Sequence, residues 1–592
     1  MEIVVETKKC RCWSEFDITQ WDLDFLEKVS PVFQKRRGVR VEDWEWILDL
    51  WDWRFKYIIP APTLCPDCRQ QRRLSFRNER NLYKRKCDAT WKSIISNFSP
   101  DKPYKVFEQG EWLSDRWSGL DAARDYRYDR SFFSQFDELF KEVPMWVLTL
   151  NSENSEYTTY WTNNKNCYLS FCISYCSDCL YSRFIQKSEN CIDCLYCVDS
   201  KFCYECTDIN KCYNLLYSKN CTSCSNSYFL ENCISCSDCF GCVSLQNKQY
   251  YFYNKPYSRE EYLEKVRQTW ILNSKGPLSA DKETLPSLPL RDLSLNDCEN
   301  CTWDYLWNSK NCTNCFDWFD AADCKNAFDF WMINDSHDIS FAWYDSDLWY
   351  ELLASEQIHK SIFSSWINVS NIIYSFLCID SSDLFGCIWL KNAKHCILNK
   401  QYTKDEYEAL VPKIIKRMRE DKEWGEFFPS SISPFWYNET VAMEYYPLTP
   451  PPSSLPLGDQ RDVARNVSAD GKAIFKWSSF ENPKPDVSKI IPAAKLPKDI
   501  TEIPDDILNW AIECEVTWKP FRVIKPELEF YRKNSLPVPK RHPDERYSDR
   551  MKSRNQRRLH ETKCSKCGID MITTNSSDKK VYCKECYSIE VI

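Results

Sequence analysis

From Cys167 to Cys242 the small apolar positions of the chain recur every third residue. Sixteen cysteines fall in this stretch and all but Cys172 share one register, as Cys191, Cys194, Cys197, Cys203, Cys206 and Cys212 show. A period of three is neither the 3.6 of a helix nor the two of a half-buried strand. With strong positions 9 and 12 residues apart, it predicts a β-solenoid of short coils, each made of brief extended sides joined by bends. Asn-Cys recurs at Asn166/Cys167, Asn190/Cys191, Asn220/Cys221 and Asn232/Cys233, as if marking the corners.

A second array, roughly Cys298 to Cys396, repeats the theme: Ser218-Lys219-Asn220-Cys221-Thr222-Ser223-Cys224 returns as Ser309-Lys310-Asn311-Cys312-Thr313-Asn314-Cys315. Here the register of Cys312 and Cys315 is held mostly by other apolar residues, namely Trp318, Ala321, Cys324, Ala327, Phe330, Ile333, Ile339 and Ala342. Thiols that exchange with alanine and isoleucine read first as buried core fillers, since free cysteine behaves as a small hydrophobe; metal clusters are the alternative. Both arrays end alike. Phe240-Gly241-Cys242 through Val266 aligns without gaps to Phe385-Gly386-Cys387 through Val411, sharing Asn254/Asn399 and Tyr262/Tyr407 among others. Ser258 and Thr403, each followed three residues later by glutamate, have the capping-box form, so a helix is expected to close each solenoid.

A third repeat joins the two ends of the chain. Ile59 to Cys87 aligns ungapped with Leu536 to Cys564 at 12 identities in 29, including Pro66/Pro543, Arg69/Arg546, Arg73/Arg550, Arg77/Arg554, Arg80/Arg557 and Cys87/Cys564. The termini therefore read as copies of one module. The expected fold is mainly β: two short-coil cysteine-rich β-solenoid arrays closed by helices and flanked by zinc-ribbon modules with arginine-rich helices. Its expected parts are an N-terminal zinc-binding and basic module (1–150), a first solenoid (151–257), a closing helix and linker (258–296), a second solenoid (297–400), a closing helix (401–446), a proline-rich linker (447–500) and a C-terminal basic module with a zinc ribbon (501–592).

Charge sharpens this picture. The formal net charge is −8, but Arg69 to Lys105 carries +8 and Lys525 to Ile592 carries +6, which leaves −22 on the rest. Two basic ends thus flank an acidic middle, and each could serve nucleic acid or the chain's own acidic body. The opening MEIVVETKK has no apolar signal segment and no run approaches a membrane span, so a cytoplasmic protein without membrane contact is expected. In that compartment 34 cysteines point to metal ligands or buried thiols instead of disulfides. With five histidines, histidine-based acid/base chemistry has few candidates.

Cys564-x2-Cys567, fifteen residues, then Cys583-x2-Cys586 is the spacing of a structural zinc ribbon, in which two CxxC turns close a tetrahedron and leave no ligand position open. Cys65-x2-Cys68 is a second half-site, with Cys10 and Cys12 its partners across 52 intervening residues; an unmetallated turn is the alternative there. One or two structural Zn²⁺ sites are expected. In the N-terminal copy of the ribbon Cys87 remains, but Thr90, Glu108 and Glu111 fall near the other ligand positions, so that copy reads as having lost its metal. Arg69, Arg73, Arg77, Arg80 and Lys84 are spaced for one helical face, and Arg546, Arg550, Arg554 and Arg557 repeat it. Such a stripe suits phosphate contacts to DNA or RNA; a helix face ion-paired with the acidic solenoids is the alternative. Asp317, Asp320 and Asp323, or Asp380 and Asp383, read as solvent-facing coil corners before cation sites. No P-loop, dinucleotide fingerprint or G-x-S-x-G elbow occurs.

CPDCRQQRRLSFRNERNLYKRKC, then SPDKPYKV, the solenoids closing in FGC…NK, and a terminal CSKCG…VYCKECY together resemble a family of uncharacterised cysteine-rich zinc-ribbon repeat proteins of uncultivated small-genome bacteria. The resemblance implies no activity. It does imply glycine where this chain has Trp13, Trp91, Trp389 and Trp518, and some of these bacteria read UGA as glycine. With 10 glycines against 25 tryptophans, many tryptophans are expected to be glycines translated with the wrong code; an aromatic-rich surface is the alternative. The functional expectation is a non-enzymatic zinc-binding scaffold engaging nucleic acid through its basic modules. A protein-interaction or structural scaffold comes second, and a cysteine- or metal-dependent enzyme third.

Overall fold

The computed structural model describes residues 3–591 except 35–46, 50–53, 147–148, 151, 156, 160, 274–287, 303, 313–314, 317, 322–323, 326–330, 338–346, 352–357, 364–368, 449–473, 481–486 and 556. The chain forms two compact units. One comprises Met1–Trp146 and Leu293–Phe480, the other Val147–Asp292 and Glu481–Ile592. Each therefore combines one terminal module with one cysteine array, the N-terminal module with the second array and the C-terminal module with the first.

In the second unit the first array is a β-solenoid whose coil is 12 residues long. Strands Phe171–Ser174, Arg183–Gln186, Leu195–Val198, Thr207–Asn210 and Lys219–Thr222 stack in parallel with every residue opposite the one 12 positions on. A second stack runs through Tyr213–Leu216, Ser225–Tyr228, Ser237–Phe240 and Gln249–Phe252 in the same step. The remaining sides are held by single bridges, such as Lys165 to Ser177 and Tyr168 to Leu180.

Local backbone geometry explains the period of three. Between Asn166 and Asp178 the residues Asn166, Leu169, Cys172 and Tyr175 all have φ of 45–55°, and the next coils repeat this every third residue. Each coil therefore turns four left-handed corners. This conformation costs an L-residue about 1–2 kcal/mol, least for asparagine and aspartate. That is why Asn166, Asn190, Asn220 and Asn232, the asparagines of the Asn-Cys pairs, all occupy corners. Their side chains also bridge coils: Asn166 Nδ2 donates to Asp178 Oδ1 at 3.1 Å and Asn220 Nδ2 to Asn232 Oδ1 at 3.0 Å. Cys172, the one array cysteine out of register, is a corner residue with φ 54°.

The residue after each corner points inward, into a column of mostly small side chains. Cys167, Cys179, Cys191, Cys194, Cys203 and Cys206 fill this column with Ile173, Ile185 and Leu215. Serine at these positions adds a second function: Ser182 Oγ accepts the amide of Cys194 at 3.0 Å and Ser200 Oγ that of Cys212 at 3.0 Å, one coil on. Thiols do the converse, as Cys206 Sγ donates to the Leu215 carbonyl at 3.4 Å. Cysteine suits the column because it is small, apolar and still able to hydrogen-bond.

In the first unit the second array keeps the same core register in Leu306, Cys312, Cys315, Val369, Ile372, Cys378, Cys387 and Cys396. Its coil step is less regular. Asn334 pairs with Asp347, 13 residues on, and Ile358 with Val369, 11 on, before the 12-residue step resumes at Ser370–Ser382. The expected core positions Ala327, Phe330, Ile339 and Ala342 lie outside the described residues, as does most of the proline-rich stretch. Both arrays finish on the same device. Asn254 and Asn399 each accept one backbone amide and donate to the carbonyl of the same residue, Val243 and Ile388 respectively, at 2.8–2.9 Å. Helices Arg259–Asn273 and Lys404–Glu420 follow; Ser258 Oγ accepts from the Glu261 amide and Thr403 Oγ1 from that of Glu406. No helix among the described residues is long and apolar enough to cross a membrane.

All four tryptophans singled out in the sequence have positive φ: Trp13 68°, Trp91 60°, Trp389 52° and Trp518 62°. Three are exposed, by 64%, 75% and 71% for Trp13, Trp91 and Trp518. Trp389 is 1% exposed and packs on Trp112 with ring centroids 4.5 Å apart. Trp→Gly at 13, 91 or 518 is therefore expected to stabilise the protein by about 1 kcal/mol through relief of the left-handed backbone, whereas Trp389→Gly opens a cavity and destabilises by about 3–5 kcal/mol. Melting temperatures of the four single variants check both signs.

Candidate metal centres

At the N-terminus, antiparallel strands Val4–Lys9 and Glu15–Thr19 are joined by a tight knuckle. The Cys10 amide donates to the Ser14 carbonyl at 2.9 Å and the Trp13 amide to the Cys10 carbonyl at 3.0 Å, which aims Cys10 and Cys12 to one side. Cys65 is the N-cap of helix Pro66–Leu74 and Cys68 sits in its first turn. The helix N-terminus favours negative charge, and so favours thiolate. All four sulfurs lie within 4.8 Å of one another and all four residues are buried. Cys12 Sγ and Cys65 Sγ are 3.6 Å apart.

The C-terminal site has the same construction. Strands His560–Lys563 and Asp570–Thr573 flank a knuckle in which the Cys564 amide bonds the Ile569 carbonyl and the Gly568 amide bonds the Cys564 carbonyl, both at 2.9 Å. Gly568 takes φ 77° there. Cys583 precedes helix Lys584–Val591 and Cys586 lies within it. These four sulfurs also lie within 4.8 Å of one another, with Cys567 exposed and the others buried; Cys567 Sγ and Cys583 Sγ are 3.8 Å apart.

The donor sets fit a tetrahedral thiolate metal. Metal–sulfur bonds of about 2.3 Å place sulfurs roughly 3.8 Å apart on the edges of a tetrahedron. The protonation of the thiols points the same way. Hydrogen bonds from Cys65 and Cys68 hold the Cys10 thiol far below its usual range, and the same contact with Cys10 pushes Cys65 up. Against a raising effect of burial, amides of Cys567 and Cys583 lower Cys564 to about 6, while burial and neighbouring thiols push Cys586 up to about 12. Four thiols this close share their protons unequally, and a dication resolves the conflict by taking all four as thiolates. These tetrads are the groups of this kind among the described residues. Searches of protein-family models, curated proteins and solved structures find no match to this chain.

The Cys87 copy of the ribbon is built differently. Cys87 Sγ accepts the amides of Thr90 at 3.4 Å and Glu108 at 3.3 Å, Lys92 pairs with Glu108 at 2.9 Å and Arg116 pairs with Glu111. Side-chain cations stand against the two carboxylates that replace the ribbon's last two cysteines. Asp317 and Asp323 lie outside the described residues. Asp380 and Asp383 have φ of 47° and 55°, as coil corners do.

The arginine stripes require correction in two respects. The helices are shorter than their spacing suggests: Pro66–Leu74 carries Arg69 and Arg73, and Pro543–Ser553 carries Arg546 and Arg550. Arg77, Arg80, Arg554 and Arg557 follow on non-helical chain, and Lys84 is an exposed residue of strand Tyr83–Lys86. Nor do the arginines form an exposed face. In the second unit Arg546 pairs with Asp193, and with Glu527 at 3.6 Å. Arg550 reaches Asp193 at 3.0 Å and Glu205 at 3.2 Å, and Arg554 reaches Asp208 at 2.9 Å. Arg557 donates to Tyr196 Oη at 3.0 Å. Asp193, Glu205, Asp208 and Tyr196 are all left-handed corners of the first solenoid. Four helical residues rise about 6 Å against about 4.8 Å between strands, so Arg546 meets the coil of Asp193 while Arg550 spans that coil and the next, that of Glu205; Arg557, on non-helical chain, returns to Tyr196 in the coil of Asp193.

In the first unit the arginines are also held within the unit, but among the described residues one solenoid corner, Glu351, takes part. Arg73 lies 3.8 Å from Glu351, a left-handed residue of the second array. Arg72, outside the predicted stripe, pairs with Glu351 at 2.9 Å and Glu426 at 2.8 Å. Arg69 donates to the Leu64 carbonyl, Arg77 to Glu79, and Arg80 lies 3.7 Å from Glu444. The purified chain is expected to carry two metal ions, falling to one in Cys68→Ser and to one in Cys564→Ser. Elemental analysis of folded protein reads this directly, and a wild-type ratio near zero would contradict the fit.

Proposed function

We propose that this chain is a non-enzymatic, zinc-stabilised repeat scaffold whose solenoid faces engage protein partners. The pairing of the arginine helices with solenoid corners carries this reading. Phosphate recognition needs cations free to displace counterions. Of the nine cations expected to bind nucleic acid, all eight arginines hold carboxylates, a carbonyl or a tyrosine hydroxyl of their own unit, and Lys84 is the exposed one. Zinc is the metal of choice because four thiolates in a closed tetrahedron suit it and offer no open position for substrate. In this reading the helices after each array cap the open ends of the coils, as solenoids require, and the array thiols are core.

What the terminal modules leave uncovered is the solenoid surface, where Tyr175 and Tyr213 stand exposed. A photo-reactive residue at either position is expected to give nuclease-resistant protein adducts in cells. Labelled single-stranded RNA and duplex DNA, titrated at low salt, are expected to bind no more tightly than the roughly 10⁻⁶–10⁻⁴ M of non-specific association. Tighter binding that falls steeply with salt, or adducts to nucleic acid in place of protein, would overturn the proposal in favour of a nucleic-acid scaffold.

A further inference from the structure

Four knuckles among the described residues share one geometry. At Cys87 the amide bonds the Lys92 carbonyl and the Trp91 amide returns to the Cys87 carbonyl, both at 2.9 Å; at Cys514 the same bonds run to Lys519 and from Trp518, both at 3.1 Å. These are the bonds of the Cys564 knuckle residue for residue, and of the Cys10 knuckle with one residue fewer. The knuckles at Cys87 and Cys514 also sit between strand pairs, Tyr83–Lys86 with Ser93–Ser96 and Trp510–Glu513 with Pro520–Phe521.

The correspondence extends to the other half of each site. The first sulfur accepts the amide of the third ligand position, from Cys583 at Cys564 and from Glu108 at Cys87, both at 3.3 Å. In the repeat of Ile59–Cys87 and Leu536–Cys564 His542 stands in the place of Cys65, and the Cys514 knuckle reaches its segment, the Glu515 amide donating to the Lys540 carbonyl at 3.2 Å. In every case the third position directly precedes a helix: Cys65 before Pro66–Leu74, His542 before Pro543–Ser553, Glu108 before Gln109–Trp112 and Cys583 before Lys584–Val591. The fourth position, three residues on, holds Cys68, Glu545, Glu111 and Cys586 in turn.

We infer that each terminal module is built on a frame for two metals, that the two copies have each vacated a different position, and that both vacated positions retain the frame of a tetrathiolate site. The N-terminal module keeps the site made with its first knuckle and has replaced the second with Cys87, Thr90, Glu108 and Glu111. The C-terminal module keeps the second and has replaced the first with Cys514, Thr517, His542 and Glu545. Lys92 and Arg116 pair with Glu108 and Glu111, the carboxylates that stand in place of the last two cysteines. The same backbone hydrogen bonds hold the knuckles that have four cysteines and those that keep one, which is why the frame outlasts the ligands.

The test restores the thiolates in the full chain, as Thr517→Cys/His542→Cys/Glu545→Cys and separately as Thr90→Cys/Glu108→Cys/Glu111→Cys. Native mass spectrometry with zinc is expected to show three ions per chain in each triple variant against two in the wild type. Cobalt substitution should raise the sulfur-to-metal charge-transfer band by about half, and adding Cys514→Ser or Cys87→Ser should return the count to two. The inference rests on the metal reading of the intact tetrads, and the wild-type count separates the two: no zinc there sinks that reading, whereas two in the wild type and two in both folded triple variants sink this one. If one variant fails to fold the other decides, and failure of both to fold or to gain metal shows that the frame has been lost.

Discussion

Burying an arginine beside a carboxylate is expensive unless both find their geometry, since each ion loses its hydration and recovers it only through close, well-directed partners. This chain does so repeatedly, with Asp193 and Glu351 fully buried under arginines of their respective modules. Removing one member strands the other, at a cost of about 3–5 kcal/mol, whereas the pair together contributes little over an apolar contact. The arrangement therefore specifies register more than it adds stability. An arginine helix can seat on its solenoid where guanidinium groups meet the carboxylate-bearing corners, and a slip of one coil would set Arg554 against Tyr196 or Asn220 in place of Asp208.

The corner geometry makes that register possible. A three-residue side ending in a left-handed residue brings the same position of every coil to one edge, one strand spacing apart. Aromatic corners take part as well: Arg546 lies 4.6 Å from the Tyr181 ring and Arg554 4.0 Å from that of Tyr196, contacts that favour guanidinium over ammonium. In one module a cysteine of the tetrad also marks where the arginine helix begins. Cys65 caps the Pro66–Leu74 helix in one module, and His542 occupies the same place in the other, where its ring accepts the Asp544 amide at 3.1 Å.

Much of this was legible in the sequence because it depends on local rules. The period of three follows from the small inward residue, the asparagines before cysteine from the left-handed corner, and the tetrads from ligand spacing. The orientation of the arginines was not legible. Spacing of three or four residues tells which side chains share a face, but Asp193 and Glu205 lie some 350 residues from their partners and read locally as solvent-facing corners. Helix length misled for a related reason: Arg554 is extended at φ −85°, ψ 152°, yet keeps the i+4 spacing of its neighbours. Arg72 gave only an Arg-Arg pair as its signal. Cys514 gave a Thr-Trp-Lys sequence shared with Cys87, detectable only once the knuckle geometry is known. The coil steps of 13 and 11 in the second array were hidden because a single register cannot show an insertion that a later deletion cancels.

The claim that the arginine helix is seated on the solenoid corners by charge is tested most directly by a double-mutant cycle between Arg550 and Asp193. Arg550→Met, Asp193→Leu and the double variant are compared in urea unfolding of the intact chain. The account predicts that each single change destabilises strongly and that the double variant, in which Arg546 has lost Asp193 and Glu205 has lost Arg550, is less destabilised than the sum of the two, with a coupling of about 1.5 kcal/mol or more within the roughly 0.5–3 kcal/mol range of contacting residues. Additive effects, agreeing within about 0.5 kcal/mol, would contradict it and leave the two residues as independent parts of the core.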